Sequence, residues 1–422
     1  MKNVLIITSH FPPSNLAGVH RGRLFAKYLP NYGWNPIVLT VDEKYYEEKL
    51  DYDLNFLLPA GLQVEKVNAF NNSTPRTIGD LGIRSFFQLL KRANTLIENS
   101  KIDFVYIIIP SFYLSLLGHL LFRKHGVKFG IDYMDPWVHK FPGSDKIFSR
   151  HWFSSVLSKL LEPISLKNVS LLTSVAPKYI EPIFSRNPKL THSGVKILSL
   201  PMGWDSDEKI IVERFKNKVT RFTNSKKYTL VYAGAFLPHA IDVITIFFQV
   251  IQRNRNLFQD VEFHFIGTGH QIVNGVVTTI KDIAQKMQIF NDIVFEHPDR
   301  IPYLNVLNHI SYSSGILIVG SSESHYTPSK LFSAFIMNKP VFAILHEQST
   351  ALTIVNNTNW GEVCEYSDAN FINFETQVIN KFLLWKQKTV NKSWEFDYQS
   401  AAHLSIQNIT FQLSKVFDET VK

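Results

Sequence analysis

Short apolar runs alternate with longer amphipathic stretches through most of the chain. That alternation predicts parallel strands joined by covering helices. In the first half the expected strands are Val4–Ser9, Pro36–Thr40, Val64–Val67, Phe104–Ile109, Phe129–Asp132, Leu171–Ser174 and Ile197–Leu200. Their near-continuous Val, Ile and Leu content fits strands buried on both faces. A helix is expected over Val19–Tyr32, stopped by Gly33. The apolar run Phe104–Phe122 has the length of a membrane span. Pro110-Ser111 divides it into a strand and a helix, Phe112–Phe122, of ordinary α/β lengths.

The pattern breaks over Ser206–Lys227, which is polar and reads as a linker. A second series follows: Thr229–Ala233, Val261–Ile266, Ile293–Phe295, Gly315–Val319 and Val341–Ile344, with a helix expected over Ser400–Phe417. The expected fold class is therefore α/β, with two Rossmann-like, doubly wound domains in sequence. The boundaries read as 1–205, a linker 206–227, a second domain 228–390 and a terminal helical segment 391–422.

Composition narrows the classes of partner. The chain has 422 residues, enough for two or three domains at roughly 150 residues each. Net charge is +8, which suits nucleic acid, an anionic membrane surface or phosphorylated small molecules. No zinc-finger spacing, RNP-type aromatic motif or long basic block occurs, so nucleic acid is not expected. Cys364 is the only cysteine, which excludes an internal disulfide framework and a Cys-rich zinc site. Met1–Ser9 reads as a buried first strand rather than a signal peptide, so a cytoplasmic protein is expected.

Ligands of open α/β sheets bind at the carboxyl ends of the strands. The loop after the first strand carries His10, Ser14, Gly18, His20 and Arg21, with Gly18 placed to let backbone N–H groups approach a ligand at a helix start. Asp132-Tyr133-Met134-Asp135-Pro136-Trp137 closes another strand. There Asp132 or Asp135 can accept a proton from an attacking hydroxyl, Trp137 can stack on a sugar, and a turn cap is the alternative for Asp135. Gly234 follows the first strand of the second half and permits close approach to a phosphate. Ile266-Gly267-Thr268-Gly269 opens like a dinucleotide fingerprint, but Ile272 stands where its last glycine belongs. Finally, Gly320 to Phe332 leads from a strand through Glu323 and His325 to Ser329-Lys330 at an expected helix start. An ammonium and a helix N-terminus at one point suit a diphosphate, with Glu323 or His325 on ribose or sugar hydroxyls.

These segments, in this order, resemble the GT-B glycosyltransferases, specifically family four (glycosyl transferases group 1). The opening strand and Phe11-Pro12-Pro13 loop, Asp132–Trp137, Pro201-Met202-Gly203-Trp204-Asp205 and Ser329-Lys330-Leu331-Phe332 through Lys339-Pro340 carry the resemblance, which spans nearly the whole chain. The departures are His325 and Ser333 where many relatives carry two glutamates, Asn338 for a glycine, and Leu237-Pro238-His239 for a basic pair. The resemblance implies two domains facing each other across a cleft, the last helix crossing back to the first domain, and donor bound mainly by the second. It implies transfer of a sugar from a nucleotide-diphosphate sugar to a hydroxyl acceptor, with retention. Catalytic residues are then expected among Asp135, Asp132 and His10, and donor-binding residues among Gly18, Gly234, Glu323, His325, Ser329 and Lys330. No cofactor and no metal are expected, since the sequence holds no Asp-X-Asp motif. Alternatives of the same fold are a nucleotide-sugar 2-epimerase and a degenerate, non-catalytic assembly partner. A carbohydrate or lipid-linked acceptor fits, in surface polysaccharide or glycolipid synthesis. The stretch from Lys146 to Leu161 has basic, aromatic and apolar residues at helical spacing. It reads either as a helix on the inner membrane surface or as one burying its apolar side in the first domain.

Overall fold

The computed structural model describes all residues except 73–78, 139–146, 216–221, 223–225, 237, 273–274, 278, 322–327 and 368–372, and omits the side chains of 150–151, 270–272 and 275–277. The chain divides into two compact units, Met1–Gly203 with Ile406–Lys422, and Trp204–Ser405.

The first unit is a seven-stranded parallel sheet: β1 (Lys2–Ile7), β2 (Trp34–Val41), β3 (Gln63–Val67), β4 (Phe104–Ile109), β5 (Phe129–Tyr133), β6 (Leu171–Ser174) and β7 (Lys196–Ser199), in the order β3-β2-β1-β4-β5-β6-β7. Every residue of β4, β5 and β6 is buried, because helices cover both faces. The edge strands β3 and β7 mix charged or polar residues with apolar ones and none of their residues is buried; the charges also discourage edge-to-edge pairing. The first helix is shorter than expected, Val19–Tyr28, and tightens into a 3-10 turn over Leu29–Tyr32. Pro30 cannot donate the N–H that would continue an α-helix there. The Ile406–Val421 helix sets Phe417 against Trp34, Phe104 and Tyr106, with ring centroids 5.3, 4.7 and 5.1 Å apart.

The second unit holds a six-stranded parallel sheet: β8 (Tyr228–Ala233) and β9 (Val261–Ile266), then β12 (Val294–His297), β13 (Gly315–Val319), β14 (Val341–His346) and β15 (Gly361–Tyr366), in the order β12-β9-β8-β13-β14-β15. A small hairpin, β10 (His270–Ile272) with β11 (Gly275–Val277), leaves β9. β15 was not expected from sequence. Glu362 and Glu365 interrupt its apolar run, and it pairs with β14 at the edge of the sheet. The polar stretch after residue 205 is not wholly a linker: Asp207–Phe215 is a helix, within the second unit. Its Glu208 accepts a hydrogen bond from Tyr303 Oη at 2.7 Å. Both sheets have the strand order 3-2-1-4-5-6 of doubly wound folds, the first with one strand added.

Candidate functional site

In a sheet of this order the ligand crevice opens where the winding reverses, at the carboxyl ends of the two central strands. In the second unit these are β8 and β13. Gly234 leaves β8 at φ +102°, a backbone state that an L side chain rarely adopts. A Cβ built there would come within 3.2 Å of Lys330 Cε. The glycine thus leaves room for that lysine stem. Lys330 lies beyond β13, its Nζ 4.7 Å from the Tyr232 ring centroid and 3.4 Å from the Ala235 carbonyl. Gly267, leaving β9 at φ +71°, packs on Gly234 and on the Arg300 backbone. Two glycine turns and a half-buried lysine, with Arg300 contributing from the loop after β12, therefore converge at one end of one sheet.

The electrostatics favour an anion. Burial, and to a lesser degree the nearby Arg300 charge, lower the Lys330 pKa to about 8. Desolvation and like-charge repulsion both penalise the ammonium until a counter-anion arrives. Arg300 was not anticipated. Strand Ile293–Phe295 was expected, and the rule that strand exits carry ligands applied equally to its exit, His297-Pro298-Asp299-Arg300.

The helix after Lys330 begins at Leu331 rather than near Ser329, and runs only to Met337. Its first-turn N–H groups on Leu331, Phe332 and Ser333 already donate to the carbonyls of Pro328, Ser329 and Lys330. The expected helix N-terminus thus supplies little. The side-chain cations supply the positive charge. Ser329 is exposed in the turn, and Glu323 and His325 lie outside the described residues.

In the first unit the same switch point falls between β1 and β4. His10 leaves β1, half-buried, with Nδ1 2.9 Å from Ser9 Oγ, Nε2 3.9 Å from Glu48 and its ring against Tyr46. Burial lowers its pKa more than Glu48 raises it, which leaves a neutral imidazole able to accept a proton. Gly18 lies beside Pro110 and Met134, the exits of β4 and β5. It is right-handed at φ −61°, and the N–H groups of Val19, His20 and Arg21 already donate to Leu16, Ala17 and Gly18. Gly18 therefore contributes space more than donors. Asp135 is exposed in the turn after β5.

Other expectations in this unit are overturned. Arg21 is fully buried and grips Asp132 with two bonds of 2.8 and 2.9 Å, while also donating to the carbonyls of Leu200 and Pro201. Asp132 further accepts from Thr173 Oγ1 at 2.5 Å. Both groups are interior ties between β5, β6 and the first helix, and Asp132 has no solvent-facing surface with which to meet a hydroxyl. Ser14 is buried and donates to Glu48, and His20 pairs with Arg23. Trp137 is buried, stacked on Phe112 at 5.8 Å, so it belongs to the core and not to a sugar platform. Among the described residues no cluster of three His, Cys, Asp or Glu side chains is arranged for a metal.

No family model and no curated protein matches the sequence. Solved structures do match over the full length. A glycosyltransferase from Rickettsia africae ESF-5 is 15% identical, with 100% of this chain and 99% of that one covered at a TM-score of 0.63. The catalytic domain of starch synthase IV from Arabidopsis thaliana, bound to ADP and acarbose, is 11% identical, with 100% and 99% covered and a TM-score of 0.63. A UDP-forming α,α-trehalose-phosphate synthase from Burkholderia xenovorans is 8% identical, with 100% of each chain covered and a TM-score of 0.65. At these identities the likeness is one of fold, and the chain carries the two-sheet α/β GT-B fold of these solved glycosyltransferases.

Proposed function

We propose that this protein is a retaining glycosyltransferase that moves a sugar from a nucleotide-diphosphate donor to a hydroxyl acceptor, without metal or cofactor. The observation that carries the reading is the meeting of Lys330 and Arg300 with the Gly234 and Gly267 turns at the switch point of the second sheet. A diphosphate leaving group develops negative charge as the glycosidic bond breaks, and fixed cations in a partly desolvated site stabilise it. Two solved structures of this fold involve nucleoside diphosphates, the starch synthase bound to ADP and the UDP-forming trehalose-phosphate synthase. On the acceptor side we assign Asp135 and His10, the exposed carboxylate and the neutral imidazole at the exits of β5 and β1. Surface polysaccharide or glycolipid synthesis on the cytoplasmic side is the setting we infer. A lone buried cysteine suits that reducing compartment.

A thermal-shift screen of nucleoside diphosphates and their sugars tests the donor assignment, because a ligand that binds only the native state raises its stability. At least one UDP-, ADP- or GDP-type ligand should raise Tm; a wholly flat screen would remove the donor reading. With the active donor and an acceptor panel, Asp135→Asn should lower kcat by roughly 10²-fold or more, as for loss of a general base, with donor affinity unchanged. Unaltered turnover would leave His10 as the acceptor-side group. Donor turnover to a free epimer without acceptor would instead favour the 2-epimerase.

A further inference from the structure

The Arg150–Ser165 helix is inside out. On a helix of 3.6 residues per turn, Phe153, Leu157, Leu160 and Ile164 fall within roughly 60° of arc. All four are exposed, Phe153 at 55% and Leu160 at 64%. Ile147 and Phe148, just before the helix, are exposed as well, and Phe148, Trp152 and Phe153 form one aromatic cluster. The opposite face is polar and buried: Ser158, Glu162 at 1% and Ser165 at 0%. Glu162 is held there by Arg186, with bonds of 2.8 and 2.7 Å, and by Asn187 at 3.1 Å. The helix is thus anchored to the first unit by Leu161, packed on the core, and by an ion pair whose carboxylate is buried and whose guanidinium is part-exposed, while its apolar stripe faces outward. Dissolved in water, that stripe costs free energy, and an exposed contiguous apolar face marks an interaction surface.

We propose that this face docks onto an anionic lipid surface. Charge selects that occupant. The helix's one carboxylate is turned inward and neutralised by Arg186, whereas Lys159 is exposed. The Leu116–His125 helix packs beside it and ends in Arg123, which is exposed, and Lys124, which pairs with Glu98 at 2.8 Å. Lys167 follows the helix and is also exposed. A self-contact through this face would set these cations against their copies, whereas an anionic leaflet attracts each of them. Aromatic residues beside basic ones, above an apolar stripe, are what an interfacial helix presents to headgroups and acyl chains. Among the described residues no helix is long and apolar enough to cross a membrane, so the contact is one of lying on the surface. This inference is independent of the donor chemistry.

Co-sedimentation of the full chain with vesicles of phosphatidylcholine, with and without phosphatidylglycerol, tests it. The protein should pellet with the anionic vesicles only, and less as salt rises. The double variant Phe153→Ser/Leu160→Ser changes exposed positions only and should bind roughly tenfold or more weakly. An environment-sensitive dye on Leu157→Cys, where the only other cysteine is buried, should blue-shift on addition of anionic vesicles. Failure to pellet with anionic vesicles, equal binding by the double variant, or a dye that does not respond would each overturn the proposal. So would a dimer in solution that the double variant converts to monomer, since the stripe would then be a self-interface.

Discussion

Arg21→Ala is expected to destabilise the first unit by about 3–5 kcal/mol, the cost of leaving a buried charge without its partner. The guanidinium is fully buried and joins the first helix to the Asp132 carboxylate on β5 and to the carbonyls of Leu200 and Pro201 beyond β7. Removing it leaves Asp132 without its cation, still accepting from Thr173, and leaves two carbonyls short of a donor. The loss should show as a lower denaturant midpoint. Because breaking one partner is costlier than removing both, Arg21→Met combined with Asp132→Leu should recover most of it. A single-variant loss under about 1 kcal/mol, in the range of a surface pair, would show that the tie carries no stability. The same double variant speaks to chemistry. If it folds and still transfers sugar, Asp132 is structural, as its burial indicates.

Lys330→Ala should weaken nucleoside-diphosphate binding by roughly 10–100-fold, the value of a charge-assisted contact of about 1.5–3 kcal/mol. The pH dependence gives a second readout that a merely structural lysine would not move. In the free protein the pKa is lowered to about 8 by burial and by Arg300. A bound diphosphate favours the ammonium and so raises that pKa. Affinity should therefore be flat below about pH 8 and fall above it, where binding has to take up a proton. The alanine variant should lose this break and stay flat. Titration calorimetry across pH 6.5 to 9.5, in roughly half-unit steps about that pKa, reads both effects. Binding by the variant as tight as wild type, with the break still present, would place the diphosphate elsewhere. The folded-state linkage has the opposite sense. A lysine whose pKa is below its unfolded value of about 10.4 opposes folding while charged, and that penalty is relieved as pH rises through 8. Under the proposed donor assignment, the site trades native stability for a preformed anion hole.

Much of the architecture was legible in the chain because a buried parallel strand must be apolar throughout. β1, β4, β13 and β14 all follow from that rule, whereas β9 was expected although buried Glu262 and His264 interrupt its apolar run. β15 did not, since Glu362 and Glu365 interrupt its apolar run, and Glu362 is buried where Lys381 and Lys388 reach it from the Phe374–Val390 helix that follows. The glycine and lysine of the second unit were found at strand exits, where sequence order alone points. Arg300 was missed although it too follows an expected strand, because the strand-exit rule was not applied there and a lone arginine in a short turn adds no signature of its own. Its meaning comes from Gly267 and Lys330, which approach it from other strands.

The residue order by itself determined the doubly wound class, the two sheets in succession and the strand exits at which ligands gather, because each depends on local apolar patterning. It also determined that a helix near residues 150–165 would carry an apolar stripe. Which way polar and apolar groups turn was decided only by tertiary structure. Arg21, Asp132 and Trp137 look like ligand-facing groups in the sequence and prove to be interior: Arg21 and Asp132 compensate each other's burial across 111 residues, and Trp137 stacks on Phe112. The 150–165 helix turns its apolar stripe outward for the same reason: Arg186, on another helix, holds Glu162 inside. Whether a polar side chain lies inside or outside is settled by the partner that meets it there, and that partner is set by the fold, not by its neighbours in the chain.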